Sequence, residues 1–208
     1  MKHALYRTAI CMLTILLMLG TSSCKKKNET TSVPTPPSYS AEQLLASVRL
    51  DAYTGLTVIL ESETETRADA IWRHLLAQAE ILNYPEDALA YYVEQEREVY
   101  RYYAEQNEMD EDEVKKLLGI SEESIEKKAK QLVKKDLVYE YIRKDANIIL
   151  TEKEKTDLFD RYAQQLADQY GYSLSYVKEN MKDHVLDAML YHKTTEYLIL
   201  NNQFLHAK

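Results

Sequence analysis

Beyond residue 40 the apolar positions recur mostly every three or four residues, the period of helices with one buried side. Ser40 precedes AEQLLASVRL, a short amphipathic helix start carrying Leu44, Leu45 and Val48,. Thr66, with Asp69 three residues on, opens a helix through Ala79 whose apolar side is Ile71, Trp72, Leu75 and Leu76,. Pro85 suits the first turn of a helix from Glu86 to about Asn107, which would be about 33 Å long. Asp110 to Leu118 reads as a short helix stopped by Gly119,. Ser121 caps a long helix to about Asp145, with Ile125, Ala129, Leu132, Val133, Leu137 and Ile142 on or near its inner stripe,. Thr151 and Glu154 form a capping box for a helix through Leu158, Tyr162, Leu166 and Tyr170 to Gly171,. Ser173 or Ser175 begins the next segment, and Val185 to Leu200 lines the last helix. Asp51 to Glu61 is the only candidate strand, and no other segment reads as its partner,.

Composition agrees with an all-α fold. Among 208 residues there are four Gly and four Pro, with Pro34, Pro36 and Pro37 in one stretch, too little turn chemistry for a sandwich or barrel. Phosphate-cradling glycine motifs are missing, which excludes P-loop and dinucleotide-binding readings. Several helices of more than 20 residues in a domain of about 165 exceed the roughly 15 Å radius of a compact globule of that size. The expectation is therefore an elongated multi-helix domain with long protruding arm helices. The chain carries 26 Lys+Arg against 34 Asp+Glu, a net charge of −8. Such an acidic chain has no basic surface to displace counterions from phosphates, so no nucleic-acid partner is expected.

The N-terminus reads as an address. Lys2 and Arg7 precede the apolar run AICMLTILLML (residues 9–19), which is followed by the small residues Gly20 to Ser23 and then Cys24, the layout of an export signal. The run is about half the length needed to span a bilayer as a helix. Ending at Cys24, it resembles a bacterial lipoprotein signal, whose Cys is lipidated and becomes the first mature residue; an ordinary secretory signal is the alternative. Residues 1–23 are then signal peptide, and residues 24–40 the lipidated Cys and a disordered tether of polar and Pro-rich composition,. Residues 41–66 are a short helix and extended remnant, and residues 67–202 the main helical domain. Cys11 leaves with the signal and Cys24 takes the lipid, so no thiol remains for a disulfide, a metal or a nucleophile.

Catalytic constellations are missing from this sequence. His192 and Glu196 lie one helical turn apart, but no second His stands three or four residues from any mature-chain His, as a helical metal pair needs,. The acidic run EMDEDE (residues 108–113) lacks the spacing and glycine of a calcium loop and reads as a solvated helix cap,. No metal, no cofactor and no enzyme activity are expected. The 17 tyrosines stand out. In the helix from Glu86, Leu89, Tyr92, Val93, Val99, Tyr100 and Tyr103 occupy one broad side, and Tyr91, Gln95, Glu98 and Tyr102 another. Leu137, Val138, Tyr139, Tyr141 and Ile142 surround more than half of theirs. Such doubled stripes are either one core contact plus an exposed binding contact, or the half-buried rim of a helical core.

The order of motifs resembles the C-terminal, SurA-like chaperone domain of bacterial trigger factor, in the form of its secreted lipoprotein relatives. The matching segments are AIWRHLL from Ala70, Asn83-Tyr84-Pro85 leading into YYVEQ from Tyr91, YYAEQ from Tyr102, and LLGISEE from Leu117. LVYEYI from Leu137, ILTEKE from Ile149, Tyr170-Gly171-Tyr172 and the Leu186 to Leu200 helix complete it. The resemblance implies a helical cradle that binds unfolded or nascent secreted chains without ATP. The ribosome-docking and FKBP-type prolyl isomerase modules have no counterpart here. Tyr53-Thr-Gly-Leu-Thr-Val looks like the segment leading into the isomerase, yet only about a dozen residues separate it from the Ala70 helix. The surface expected to hold clients comprises Tyr91, Tyr92, Val99, Tyr102, Tyr103, Tyr139, Tyr141, Ile142, Ile149, Tyr162 and Tyr170. The other functions weighed are a scaffold lipoprotein clamping one specific partner and a subunit of a prolyl isomerase foldase.

Overall fold

Local capping chemistry sets most helix boundaries. The computed structural model of the chain describes residues 36–207. Its elements, in chain order, are α1 (Ala41–Ser47), β1 (Val48–Arg49), β2 (Thr57–Leu60), α2 (Arg67–Gln78), β3 (Glu80–Ile81) and α3 (Glu86–Gln106). They continue with α4 (Glu111–Leu118), α5 (Glu122–Asp145), α6 (Glu152–Tyr170), α7 (Leu174–Asn180), α8 (Lys182–Leu200) and β4 (Gln203–His206). Helices make up 68% of the structure. Reciprocal capping boxes join Ser40 to Gln43, Asp110 to Glu113 and Thr151 to Glu154, satisfying backbone donors that an open helix end would leave unpaired. Ser173, and not Ser175, caps α7, accepting from the Tyr176 N–H at 3.2 Å. α4 and α6 end in left-handed glycines, Gly119 (φ 65°) and Gly171 (φ 73°), a conformation that a Cβ disfavours.

The described chain divides into two compact units. One unit combines residues 36–49 with 80–137, and the other combines 50–79 with 138–207, so α5 contributes to both.

In the first unit, β1 pairs antiparallel with β3, Val48 opposite Ile81 and Arg49 opposite Glu80, and the latter two side chains form an ion pair. The Ser47 carbonyl accepts from the Leu82 N–H at 2.9 Å, extending this clasp. Leu44, Val48, Ala88, Tyr100, Val114, Ile125 and Val133 are buried core residues, and α4 packs on α3.

In the second unit, α6 packs on α7 and α8, and α2 packs on α8 and on β2. Ile71, Leu75, Ile142, Val185, Met189 and Leu198 are buried. The candidate strand does have a partner, contrary to the sequence reading. β2 pairs in parallel with β4, from Thr57 opposite Gln203 to Leu60 opposite His206, beyond the expected domain end at residue 202. A chain separation of 146 residues hid this pairing from local patterns. Asn202 sets its start: its side chain accepts from the Leu56 N–H at 2.7 Å and donates to the Tyr53 carbonyl at 3.0 Å.

Candidate functional site

The expected binding residues divide by burial. In α3, Tyr91 and Tyr92 are each 9% exposed and meet edge to face, with centroids 5.1 Å apart. They belong to the core of the first unit, and burial pushes the Tyr91 hydroxyl pKa up. Val99 and Tyr102 are half-buried, whereas Tyr103 is 44% exposed, against the Tyr102 ring at 6.1 Å. Of the stripes on α3, only the far end around Tyr103 is open to a partner.

The second unit shows the same split. Ile142 is fully buried, and Tyr162 is a buried tyrosine with the Arg161 guanidinium 5.2 Å over its ring. Tyr139 is half-buried in an aromatic cluster with Trp72 (6.3 Å) and Tyr191 (5.7 Å), and burial raises its pKa. Tyr141 and Tyr170 are half-buried, with the Tyr170 hydroxyl also raised by burial. Ile149, in the link before α6, is 57% exposed. Tyr91, Tyr92, Ile142 and Tyr162 thus pack inward and offer no apolar face to a client. The lipidation candidate, Cys24, lies outside the described residues.

Exposed apolar residues that the sequence reading passed over complete the surface. Leu117 (73%) and Leu118 (57%) stand side by side at the end of α4, with Leu45 and Leu82 elsewhere on the first unit. Ile59, Leu200 and Leu205 stand out on the second. Their signal in the sequence was faint: Leu117-Leu118 sits in an eight-residue helix with only Val114 buried, so one apolar contact already satisfies that helix.

Charges hold the short helix in place. Arg101 on α3 pairs with Glu94 at 2.5 Å, with Glu98, and with Glu111 of α4 at 3.7 Å. Lys115 of α4 pairs with Glu111 at 2.7 Å and with Glu122 of α5 at 3.2 Å, and Glu122 also pairs with Arg97 at 2.7 Å. Single exposed pairs contribute little, but a connected set orients the element it spans. Here it fixes α4 so that Leu117 and Leu118 face solvent. The hydrogen bond that Lys115 donates to Glu111 is the main cause that raises the Lys115 pKa.

His192 Nε2 lies 3.0 Å from Glu196 Oε1 on an exposed turn of α8. Among the described residues no three His, Cys, Asp or Glu side chains are grouped to hold a metal ion, and no helix is long and apolar enough to cross a membrane. An open recess in the first unit is lined by Tyr84, Glu123, Glu126, Lys127 and Lys130. Another, in the second, is lined by Glu152, Lys155, Phe159, Lys178 and Lys182. Both are shallow and charged, unlike the enclosed apolar clefts that hold small molecules. Comparison with family models, with curated proteins and with solved structures finds no match to this chain.

Proposed function

We propose that this chain is a lipid-anchored, extracytoplasmic chaperone that holds unfolded secreted polypeptides without ATP, on a helical domain related to the trigger factor C-terminal domain. The observation that carries the reading is the placement of large exposed apolar side chains on separate elements. Two sets are adjacent pairs: Leu117 with Leu118, and Ile59 with Leu205 across a strand pair. Single exposed apolar residues are ordinary on any surface, but adjacent pairs on firmly held elements make footholds for apolar segments. Several weak footholds bind a flexible client through multiplicity, without a deep pocket. The net charge of −8 keeps such a surface soluble,. The motif order from Ala70 to Leu200 supports the proposed kinship, and the signal-like N-terminus ending at Cys24 supports the proposed location.

The test is aggregation of a chemically unfolded model client on dilution, with the chain from Lys25 onward present at near-equimolar ratio. The wild type should suppress light scattering. A variant carrying Leu117→Asn, Leu118→Asn and Ile149→Asn, equally helical by circular dichroism, should lose most of that suppression. A wild type that leaves scattering unchanged overturns the proposal. For the anchor, labelled palmitate should enter the full chain in a bacterial host and be absent from Cys24→Ser; equal labelling of both would remove the anchor.

A further inference from the structure

The two-stranded sheet of the second unit has two edges, and the side chains of Arg73 and Glu65 cover part of one of them. In the parallel ladder, the Gln203 N–H donates to the Leu56 carbonyl at 2.9 Å and the Ala207 N–H to the Leu60 carbonyl at 3.0 Å. Alternation along a strand therefore turns Gln203, Leu205 and Ala207 toward β2, and turns the N–H and C=O of Phe204 and His206 outward. On β2 two of the outward groups are taken. The Ile59 carbonyl accepts from Arg73 Nη2 at 2.7 Å, and the Glu61 N–H donates to Glu65 Oε2 at 2.6 Å. Arg73 is itself held by Glu61 at 2.7 Å and Glu65 at 2.8 Å. On β4, among the described residues, no hydrogen bond reaches the outward groups of Phe204 and His206. Proteins generally blunt exposed strand edges; here the β2 edge is covered at the Ile59 carbonyl and the Glu61 N–H, and the β4 edge at neither Phe204 nor His206.

The open edge is firmly built. Besides its two bonds across the sheet, Asn202 donates to the Leu198 carbonyl at 2.7 Å, and the Gly55 N–H donates to the Asn201 carbonyl at 2.8 Å. On the outer face Ile59 and Leu205 are in register and 43% and 53% exposed. The Arg67 guanidinium lies 5.6 Å from the Phe204 ring centroid, with no ion pair among the described residues. This cation stands beside the β4 strand in a chain of net charge −8.

We infer that the outer edge of β4 takes up an extended segment of an unfolded polypeptide as a third strand, preferring an apolar residue over Ile59 and Leu205 and a carboxylate beside Arg67. The inference rests on the client-holding reading and gives it a binding mode: main-chain hydrogen bonds supply affinity for any sequence, and the apolar pair and Arg67 supply preference. A second copy of the chain fits less well, because edge-to-edge pairing would bring two Arg67 rims together.

The test uses the full chain, a fluorescein-labelled peptide of about ten residues with alternating valine and threonine and flanking aspartates, and fluorescence anisotropy. His206→Pro removes an outward N–H and leaves the ladder to β2 intact, and His206→Ala keeps that N–H. Wild type and His206→Ala should bind alike. His206→Pro should bind about tenfold more weakly, as should wild type with a peptide N-methylated along one edge, the scale of one lost backbone bond. Arg67→Glu should weaken the aspartate peptide and spare its lysine counterpart. Equal binding of the methylated and unmethylated peptides, or of the Pro and Ala variants, overturns the inference. So does concentration-dependent dimerisation that is lost in His206→Pro while wild type takes no peptide. Client aggregation measured in parallel separates the two ideas. Suppression that persists undiminished in His206→Pro removes the strand edge and leaves the holdase standing. Edge-dependent peptide binding without suppression by the wild type does the reverse.

Discussion

Trp72 donates its indole N–H to the Thr195 hydroxyl at 2.9 Å, and Thr195 donates its own proton to the Tyr191 carbonyl one turn back, also at 2.9 Å. The indole stacks on the Tyr191 ring with centroids 5.4 Å apart. A buried hydroxyl, a ring and a carbonyl thus fasten α2 to α8, and Thr195 is only 4% exposed. Thr195→Val keeps the shape and strands the indole N–H. The variant should lose about 1–3 kcal/mol, the cost of an unsatisfied donor. Trp72 is the sole tryptophan, so its fluorescence in a urea titration reads this joint directly.

Tyr39 is 4% exposed and donates to Asp136 Oδ2 at 2.8 Å, tying the segment before α1 to α5 within the first unit. Tyr39→Phe should cost about 1.5–3 kcal/mol at neutral pH, as for a hydrogen bond to a charged acceptor. Burial first, and the Asp136 charge second, push the Tyr39 hydroxyl pKa above its ordinary value. In the unfolded chain that proton leaves near pH 10, so the stabilisation is whole below that pH and declines as pH rises further. Chemical denaturation between about pH 9 and 11 should show a steeper loss for the wild type than for Tyr39→Phe.

Glu154 serves as half of the α6 capping box and as the partner of Lys193, whose Nζ lies 2.6 Å from Oε1. The Lys193 hydrogen bond, then the Thr151 N–H and hydroxyl, hold its carboxyl down to about 2. Its ordinary value is near 4.5, so on acidification the unfolded chain takes up this proton first. The contribution is complete above that value and disappears as pH falls toward 2. Glu154→Gln should lower the melting temperature at pH 7, and the difference from wild type should shrink between about pH 5 and pH 2. A constant difference across that range would count against an ionic role.

Gly171 closes α6 at φ 73° with open space where a Cβ would stand. Gly171→Ala should therefore cost about 1–2 kcal/mol from backbone strain alone. Gly171→Asn should cost less, because asparagine tolerates this conformation. Thermal melts of the two variants test the ranking, and equal losses would point to a contact outside the backbone.

Helix starts and stops were legible in the chain because each depends on partners a few residues away. Thr66 with Asp69, Asp110 with Gly119, and Thr151 with Glu154 stand in the structure where their patterns placed them. Which tyrosines face inward was not legible. Tyr91 and Tyr103 lie on one helix with apolar residues on several sides, and tertiary packing buries the first and exposes the second. Of the residues expected to hold clients, Tyr103 and Ile149 are exposed, whereas Tyr92, Ile142 and Tyr162 are buried.

Short-range chemistry along the chain accounts for the helices and their caps. Burial and strand pairing depend on segments far apart in sequence, as when Val58 becomes fully buried while paired with Phe204. A period of 3.6 marks where a helix has apolar sides, but when there are two such sides the choice belongs to whichever partner excludes water from one of them.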